Sequence, residues 1–395
     1  MTNINSTPIS SRYTIGIFGR RNVGKSSLLN AITGQEVALI SDTPGTTTDP
    51  VYKTMELLPI GPVVFIDTAG IDDIGELGKQ RVEKSYEVLR KSDFVILVID
   101  EFGIGDLEKK FIKELEGRKI NYIIVFNKSD IRETKDLTNI SFPYVEVSTV
   151  SKKGIEKVKK LIIDNSGMKY KRPSLVDGLI KAGETAVLVT PIDSSAPKGR
   201  LILPQQQTIR DILDCGAMVY VTKERELKQT LSNLKVPPAI VITDSKVFDY
   251  VDANTPAHIP LTSFSILLAR QKSDLKEMVK GIERLKTLLE GDNVLIVEGC
   301  THHKQVDDIA TVKIPQWISQ IAGEGINYEW RSGANYPKDL KKYKLVVHCG
   351  GCMLNHREMN YRVQLTKEAG VAITNYGVLI AYVNGILARA VEPLT

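Results

Sequence analysis

Short apolar runs recur through the first 166 residues, each closing on Gly, Asp, Asn or Ser: TIGIFG from Thr14, VVFIDTAG from Val63, FVILVID from Phe94, YIIVFNKSD from Tyr122 and YVEVS from Tyr144. Amphipathic stretches at helical spacing separate them. This alternation predicts a parallel sheet covered by helices. The segment from Asn165 to Ser174 is polar, basic and broken by Gly and Pro, which predicts a linker.

A second alternating block follows, with AVLVTPI, RLILP, AMVYVT and AIVITDSK as strands and QQQTIRDILD and ERELKQTLSNL as helices between them. From Leu275 to Leu289 apolar residues recur at helical spacing, with Ser273 placed to cap the start and Gly291 to end it. Beyond lie NVLIVEG, KLVVHCG and GVAITNYG. If these are parallel strands, their C-terminal ends share one rim, where open α/β sheets place their sites. The expected fold is α/β in three domains, spanning 1–168, 173–268 and 270–395. No repeat at a fixed period is visible.

Composition narrows this little. A chain of 395 residues with 42% hydrophobic and 25% charged residues is globular, and its length suits two or three domains. A formal net charge of +5 is too weak to announce a nucleic-acid partner. The stretch Gly370–Ala388 carries no charge but holds Thr374, Asn375, Gly377, Asn384 and Gly385, so it reads as strand, turn and buried helix rather than a membrane span. The N-terminal MTNINSTPISSR does not read as a secretory signal, which predicts a cytoplasmic protein. Four cysteines are too few for a disulfide scaffold, and three of them cluster with histidines.

The chemistry begins at Gly19. Gly19-Arg20-Arg21-Asn22-Val23-Gly24-Lys25-Ser26 matches G-x-x-x-x-G-K-[ST] between a predicted strand and the helical run beginning Ser26-Ser27. Backbone NH groups of such a loop curl around phosphates, Lys25 supplies charge to the β- and γ-phosphates, and the Ser26 hydroxyl is placed for Mg²⁺. Asp67-Thr68-Ala69-Gly70 puts a carboxylate at a strand end to hold Mg²⁺ through water, and the Gly70 NH can approach the γ-phosphate. In Asn127-Lys128-Ser129-Asp130 the Asp130 carboxylate can accept two hydrogen bonds from guanine, a donor pair that adenine lacks. Ser148 and Thr149 follow the last strand with backbone NH groups for the guanine O6. Together these motifs specify GTP and GDP.

Carried by GRRNVGKSS, PGTTTD, DTAG, NKSD and VSTVSKKG, the first block resembles GTPases of the Era and TrmE type. The resemblance implies that Thr47 completes the Mg²⁺ shell when GTP is bound, acting with Lys25 and Gly70 in hydrolysis. Arg21 departs from the common form of the loop, where proline is frequent. Ile71 stands where Ras-like enzymes carry a water-orienting glutamine, so intrinsic hydrolysis is expected to be slow. Asn22 either helps bind K⁺ beside the phosphates, as in relatives of this type, or serves turn geometry alone.

Cys300-Thr301-His302 and His348-Cys349-Gly350-Gly351-Cys352 read as C-x-H and H-C-x-x-C, a donor set open to zinc or to an iron-sulfur cluster. Cys215 has no such neighbours and reads as a core residue. Behind a GTPase, this spacing resembles the HydF family, GTPases and scaffolds of [FeFe]-hydrogenase maturation. The resemblance implies a [4Fe-4S] cluster on Cys300, Cys349 and Cys352, a homodimer formed by the middle block, and transfer of a diiron precursor from two radical-SAM maturases to the apo-hydrogenase. For a fourth ligand Glu298, His302, His303, His348 and His356 are within reach. Strand alternation puts Glu298 on the same side as Cys300 and His348 opposite Cys349, which favours Glu298 over His348; His302 is its main competitor because it belongs to the C-x-H motif of the family resembled. The rival expectation is an RNA-modification or ribosome-assembly GTPase with a C-terminal zinc module.

Overall fold

A computed structural model describes residues 7–34, 50–73, 75–100, 103–131, 141–167, 174–192, 201–299, 308–333 and 335–394. The chain divides into two compact units, 1–171 and 172–395. Among the described residues no helix is long and apolar enough to cross a membrane.

The first unit is built on β1 (Tyr13–Phe18), β2 (Val51–Leu57), β3 (Gly61–Asp67), β4 (Phe94–Ile99), β5 (Asn121–Phe126) and β6 (Tyr144–Glu146). They form one sheet in the order β2-β3-β1-β4-β5-β6, parallel except that β2 runs antiparallel to β3. Alternation of side chains sends Ile15, Ile17, Phe65 and Ile96 into one apolar layer and Phe18, Ile66, Val95 and Leu97 into the other. Burial on both faces is why β1, β3 and β4 read as unbroken apolar runs. Strand β2 was not apparent from the sequence, because VYKTMEL lies at an edge and buries only Lys53 and Leu57.

The second unit contains two four-stranded, all-parallel sheets. The first joins β7 (Thr185–Val189), β8 (Met218–Thr222), β9 (Ile240–Thr243) and β10 (Leu261–Ser263) in the order β10-β9-β7-β8. The second joins β11 (Asn293–Glu298), β12 (Asn327–Ser332), β13 (Leu345–His348) and β14 (Ala372–Asn375) in the order β12-β11-β13-β14. Each sheet therefore repeats one topology, although the sequence shows no repeat. The stretch Gly370–Ala388 folds as β14 followed by the buried helix Tyr376–Val383, as its polar residues suggest.

Three local expectations fail. RLILP is not a strand: Pro204 opens the helix Leu203–Asp214, and the Gln205 side chain reaches back to accept from the Ile202 NH at 3.1 Å. Nor does Ser273 cap the helix after it. Asp274 does, accepting from the Glu277 NH at 3.1 Å, while the Ser273 hydroxyl donates back to Ala269 O. That helix ends at Gly281, where a Cβ would lie 1.9 Å from Ile373 O, and the chain tightens into a 3₁₀ turn over Ile282–Thr287. Contact with β14 ends the α-helix ten residues before Gly291.

In both units strand order reverses beside the first strand, so the loop after β1 and the residues after β11 sit at crossover points. Such points open a crevice at the C-terminal rim of a parallel sheet.

Candidate functional site

The loop Gly19–Gly24 links β1 to the helix Lys25–Thr33, whose first turn holds Ser26 and Ser27. Lys25 Nζ is buried and donates to Arg20 O at 2.7 Å and Gly19 O at 3.3 Å, so its charge lies across the loop. Burial lowers its pKa, and the Asp67 carboxylate pulls it back. Asn22 has φ +58, in the left-handed region that asparagine tolerates, which gives turn geometry a direct observation. Gly24 has φ +91, and a Cβ there would stand 2.2 Å from Asn127 Nδ2. The close approach lets Asn127 Nδ2 donate to Val23 O at 2.9 Å, tying the NKSD segment to the phosphate loop.

Asp67, at the end of β3, is 1% exposed and accepts a hydrogen bond from the Ser26 hydroxyl through Oδ2. Its Oδ1 is buried with no partner among the described residues. A buried carboxylate oxygen left bare is costly, and the donor set fits a hard divalent cation beside Ser26. Burial raises the Asp67 carboxyl above its ordinary range, against the Ser26 hydrogen bond and the Lys25 charge. Asn127 Oδ1 is likewise buried and unpaired.

Lys128 turns at φ +59, and a hydrogen bond from the Ser148 side chain holds the exposed Asp130 carboxyl below its ordinary range. Ser148 departs from expectation: its NH donates to Lys153 O at 3.1 Å and is spent. Its side chain is the partner of Asp130, with Thr149 next in the same turn. Thr47 lies outside the described residues.

The DTAG segment rests on the phosphate loop. A Cβ at Gly70 would stand 2.5 Å from Arg21 Cγ and 2.9 Å from Arg21 N. The Ile71 NH donates to Gly19 O at 3.2 Å, and its side chain packs into the apolar layer, away from any water-orienting role. Arg21 uses the NH that a proline would lack: it donates to Asp72 Oδ1 at 2.8 Å, and Arg21 Nε pairs with Asp73 Oδ1 at 3.2 Å. Arg20 is forked onto Glu108, with Nε at 2.6 Å and Nη2 at 2.9 Å, and the Gly105 NH completes that carboxylate at 2.9 Å. Sequence reading missed these braces; the paired acids directly after DTAG-Ile71 were the only signal.

In the second unit, Cys300, His302 and His303 lie outside the described residues. Cys349 directly follows β13, its NH donating to Val297 O at 2.9 Å. Its sulfur accepts the Gly299 NH at 3.1 Å and the Gly351 NH at 3.3 Å. Donors aimed at a sulfur stabilise negative charge there, which suits a metal-ligating thiolate. Cys352 is half-buried, and burial pushes its thiol up while the nearby Lys272 charge opposes this. Cys215 is half-buried against an apolar cluster of the first sheet.

His348 is fully buried and committed. Its Nδ1 meets Cys349 O at 2.8 Å, and Arg362 Nη1 lies 3.2 Å from Nε2. Burial, then the Arg362 charge, pulls its pKa down to about 3, so the ring is neutral and donates through Nδ1. Neither nitrogen is left for a metal. Glu298 ends β11, half-buried, in register with Ser332. Among the described residues no three metal-ligating side chains converge.

Similarity to known proteins agrees with this division. Residues 14–128 match the family described as 50S ribosome-binding GTPase. The tRNA modification GTPase MnmE of Desulforamulus reducens is 36% identical over 155 residues, 38% of this chain and 33% of that protein. GTPase Der of Wolinella succinogenes is 36% identical over 168 residues, 39% of this chain and 36% of that protein. The chain thus spans about a third of the length of these curated relatives. Era of Aquifex aeolicus bound to GDP.AlF4- aligns over 53% of this chain and 93% of that one, at 19% identity and a TM-score of 0.35. The first unit is a P-loop GTPase domain. Residues 175–273 match the hydrogen maturase F dimerization domain and 276–393 the hydrogen maturase F tetramerization domain, together over half of the 395 residues. The chain belongs to the hydrogen maturase F family. Both matched C-terminal domains are oligomerisation domains, and a tetramerization domain goes beyond the homodimer expected from sequence.

Proposed function

We propose that this protein is a GTP-hydrolysing scaffold of [FeFe]-hydrogenase maturation that binds a [4Fe-4S] cluster and passes a diiron precursor to the apo-hydrogenase. Three parts share the work: a nucleotide domain over 1–168, an oligomerising domain over 173–268 and a cluster domain over 270–395. The observation that carries the reading is Cys349 at the crossover between β11 and β13, its sulfur met by two backbone NH groups. In the sequence Cys300 comes two residues after the last residue of β11.

At the nucleotide site Lys25 balances phosphate charge, the loop NH groups cradle it, and Asp130 selects guanine. Ser26 and Asp67 would hold Mg²⁺, which shields charge developing on the phosphates. Thr47 and Gly70 are the segments through which bound GTP would be sensed, and Asn22 would add K⁺ beside the phosphates. Hydrolysis with K⁺ replacing Na⁺ at equal ionic strength tests this; equal rates reject it.

At the other site Cys300, Cys349 and Cys352 would hold the cluster, with Glu298 or His302 as fourth ligand. When bound, it supplies iron with one weakly held position. The chain's part is to present three thiolates, donate NH groups to sulfur and keep His348 neutral and out of the ligand set. The first sheet offers an oligomer seam: β8 is an edge strand with Met218, Tyr220 and Val221 exposed. An unpaired edge with apolar side chains is a template for a second copy.

The test is anaerobic purification with iron, sulfide and zinc analysis. Iron and sulfide in a brown protein, lost in Cys300→Ser, Cys349→Ser or Cys352→Ser and kept in Cys215→Ser, is expected. Zinc in a colourless protein rejects the reading.

A further inference from the structure

Lys272 ends the helix Phe264–Lys272 and is only 5% exposed. Its ammonium donates to Gly351 O at 3.0 Å, Cys352 O at 3.1 Å and Leu354 O at 2.7 Å. A buried ammonium is tolerated where its donors are met, and these three acceptors are carbonyls of the loop carrying Cys349 and Cys352.

The same helix supports the loop elsewhere. A Cβ at Gly350 would stand 3.1 Å from Ser265 Oγ and 3.4 Å from Leu268 Cδ1. Ser265, Leu268 and Lys272 are spaced three and four residues apart, so they share one helix face. Cys352 itself packs against an apolar cluster that includes Phe264, Leu267 and Leu268. Gly350 and Gly351 have no side chains to set the loop's path, and Gly351 turns at φ +64. Its shape is therefore imposed from outside.

The helix lies within the dimerization domain, 175–273, and the loop within the tetramerization domain, 276–393. We propose that Lys272 is a positioning residue for the iron-sulfur site: it locks the Cys349–Leu354 loop by its carbonyls and makes the dimerization domain part of that site's construction. The inference rests on reading Cys349 and Cys352 as cluster ligands.

The experiment uses the full chain with Lys272→Met, Lys272→Gln and Lys272→Arg. In the metal-free protein, iodoacetamide alkylation of Cys352 is followed by peptide mass spectrometry, with Cys215 as internal reference. Each hydrogen bond contributes about 1 kcal/mol net, so opening of the loop should speed Cys352 alkylation by about fivefold or more in Lys272→Met. Cys215 should not change, and Lys272→Arg should restore part of the protection. After reconstitution with iron and sulfide, Lys272→Met should lose iron to a chelator severalfold faster than the parent chain. Folding is judged by circular dichroism, and if Lys272→Met does not fold, the neutral but donating Lys272→Gln carries the test. Alkylation and iron retention at parental rates in a folded variant would overturn the proposal. A parent chain that takes up no iron rejects the cluster reading instead, while Cys352 alkylation still decides the role of Lys272.

Discussion

Replacing Glu108 by glutamine should destabilise the nucleotide domain and loosen its phosphate loop. Glu108 is 3% exposed and accepts two bonds from Arg20 and one from the Gly105 NH. Glutamine keeps one acceptor but turns an amide NH₂ toward the guanidinium, so one charge-assisted bond becomes a clash of donors. Bonds to charged groups contribute about 1.5–3 kcal/mol each when buried. The Arg20 side chain is 42% exposed, so solvent screening cuts this, and we expect about 2 kcal/mol in all. For a domain of this size that is a fall in Tm of about 4–8 °C.

Acid should erase the difference. Burial alone would raise the Glu108 carboxyl, but the Arg20 fork and the backbone NH groups outweigh it and leave the group below its ordinary range. A depressed carboxyl stabilises the fold fully above its unfolded pKa, about 4.3, and loses that contribution as pH falls through the folded value. Calorimetry of the full chain at pH 7 and at falling pH measures this. Both tryptophans, Trp317 and Trp330, lie in the second unit, so their fluorescence should report an unchanged transition there. A Tm within about 1 °C of the parent at pH 7, or a gap that persists unchanged well below pH 4, would refute the reasoning.

Three further outcomes are expected. Gly24→Ala places a Cβ 2.2 Å from Asn127 Nδ2 at φ +91; strain of about 1–3 kcal/mol should weaken GDP binding by roughly tenfold to a hundredfold, read by titration calorimetry. Arg362→Met breaks the buried ion pair to Glu358 and the hydrogen bond to the Gly333 carbonyl, and urea unfolding of the second unit should show a loss of about 3–5 kcal/mol. Met218→Lys with Tyr220→Lys places charge on the β8 edge, and sedimentation velocity should show oligomer dissociation at least about tenfold easier; an unchanged oligomer would move the seam elsewhere.

What was readable in the sequence follows from where side chains meet the chain's own periodicity. Strands buried on both faces, such as Phe94–Ile99, announce themselves as apolar runs, and the phosphate loop does so because its spacing is set by one turn between strand and helix. Strands β2 and β12 escaped because VYKTMEL and NYEWRS are edge strands that keep polar residues in solvent. RLILP misled because its apolar run straddles a helix start that Pro204 and Gln205 decide. Lys272 was invisible for another reason. In the run LLARQK it resembles a solvated helix end, and only the loop folded over it, about eighty residues later, makes it buried.

The two sites use one electrostatic device on different charges. After β1, the loop offers an anionic ligand its backbone NH groups, with the buried Lys25 ammonium held by the carbonyls of Gly19 and Arg20. After β13, the NH groups of Gly299 and Gly351 face the Cys349 sulfur, while Lys272 is held by the carbonyls of Gly351, Cys352 and Leu354. A parallel sheet encourages this, because a chain leaving its C-terminal rim must turn sharply, and a sharp turn points NH groups to one side and carbonyls to the other. The carbonyl side then needs a cation and the NH side an anion. At the first site the anion is a phosphate that comes and goes with hydrolysis. At the second, on the cluster reading proposed above, it would be the Cys349 thiolate, fixed in the chain as a soft ligand.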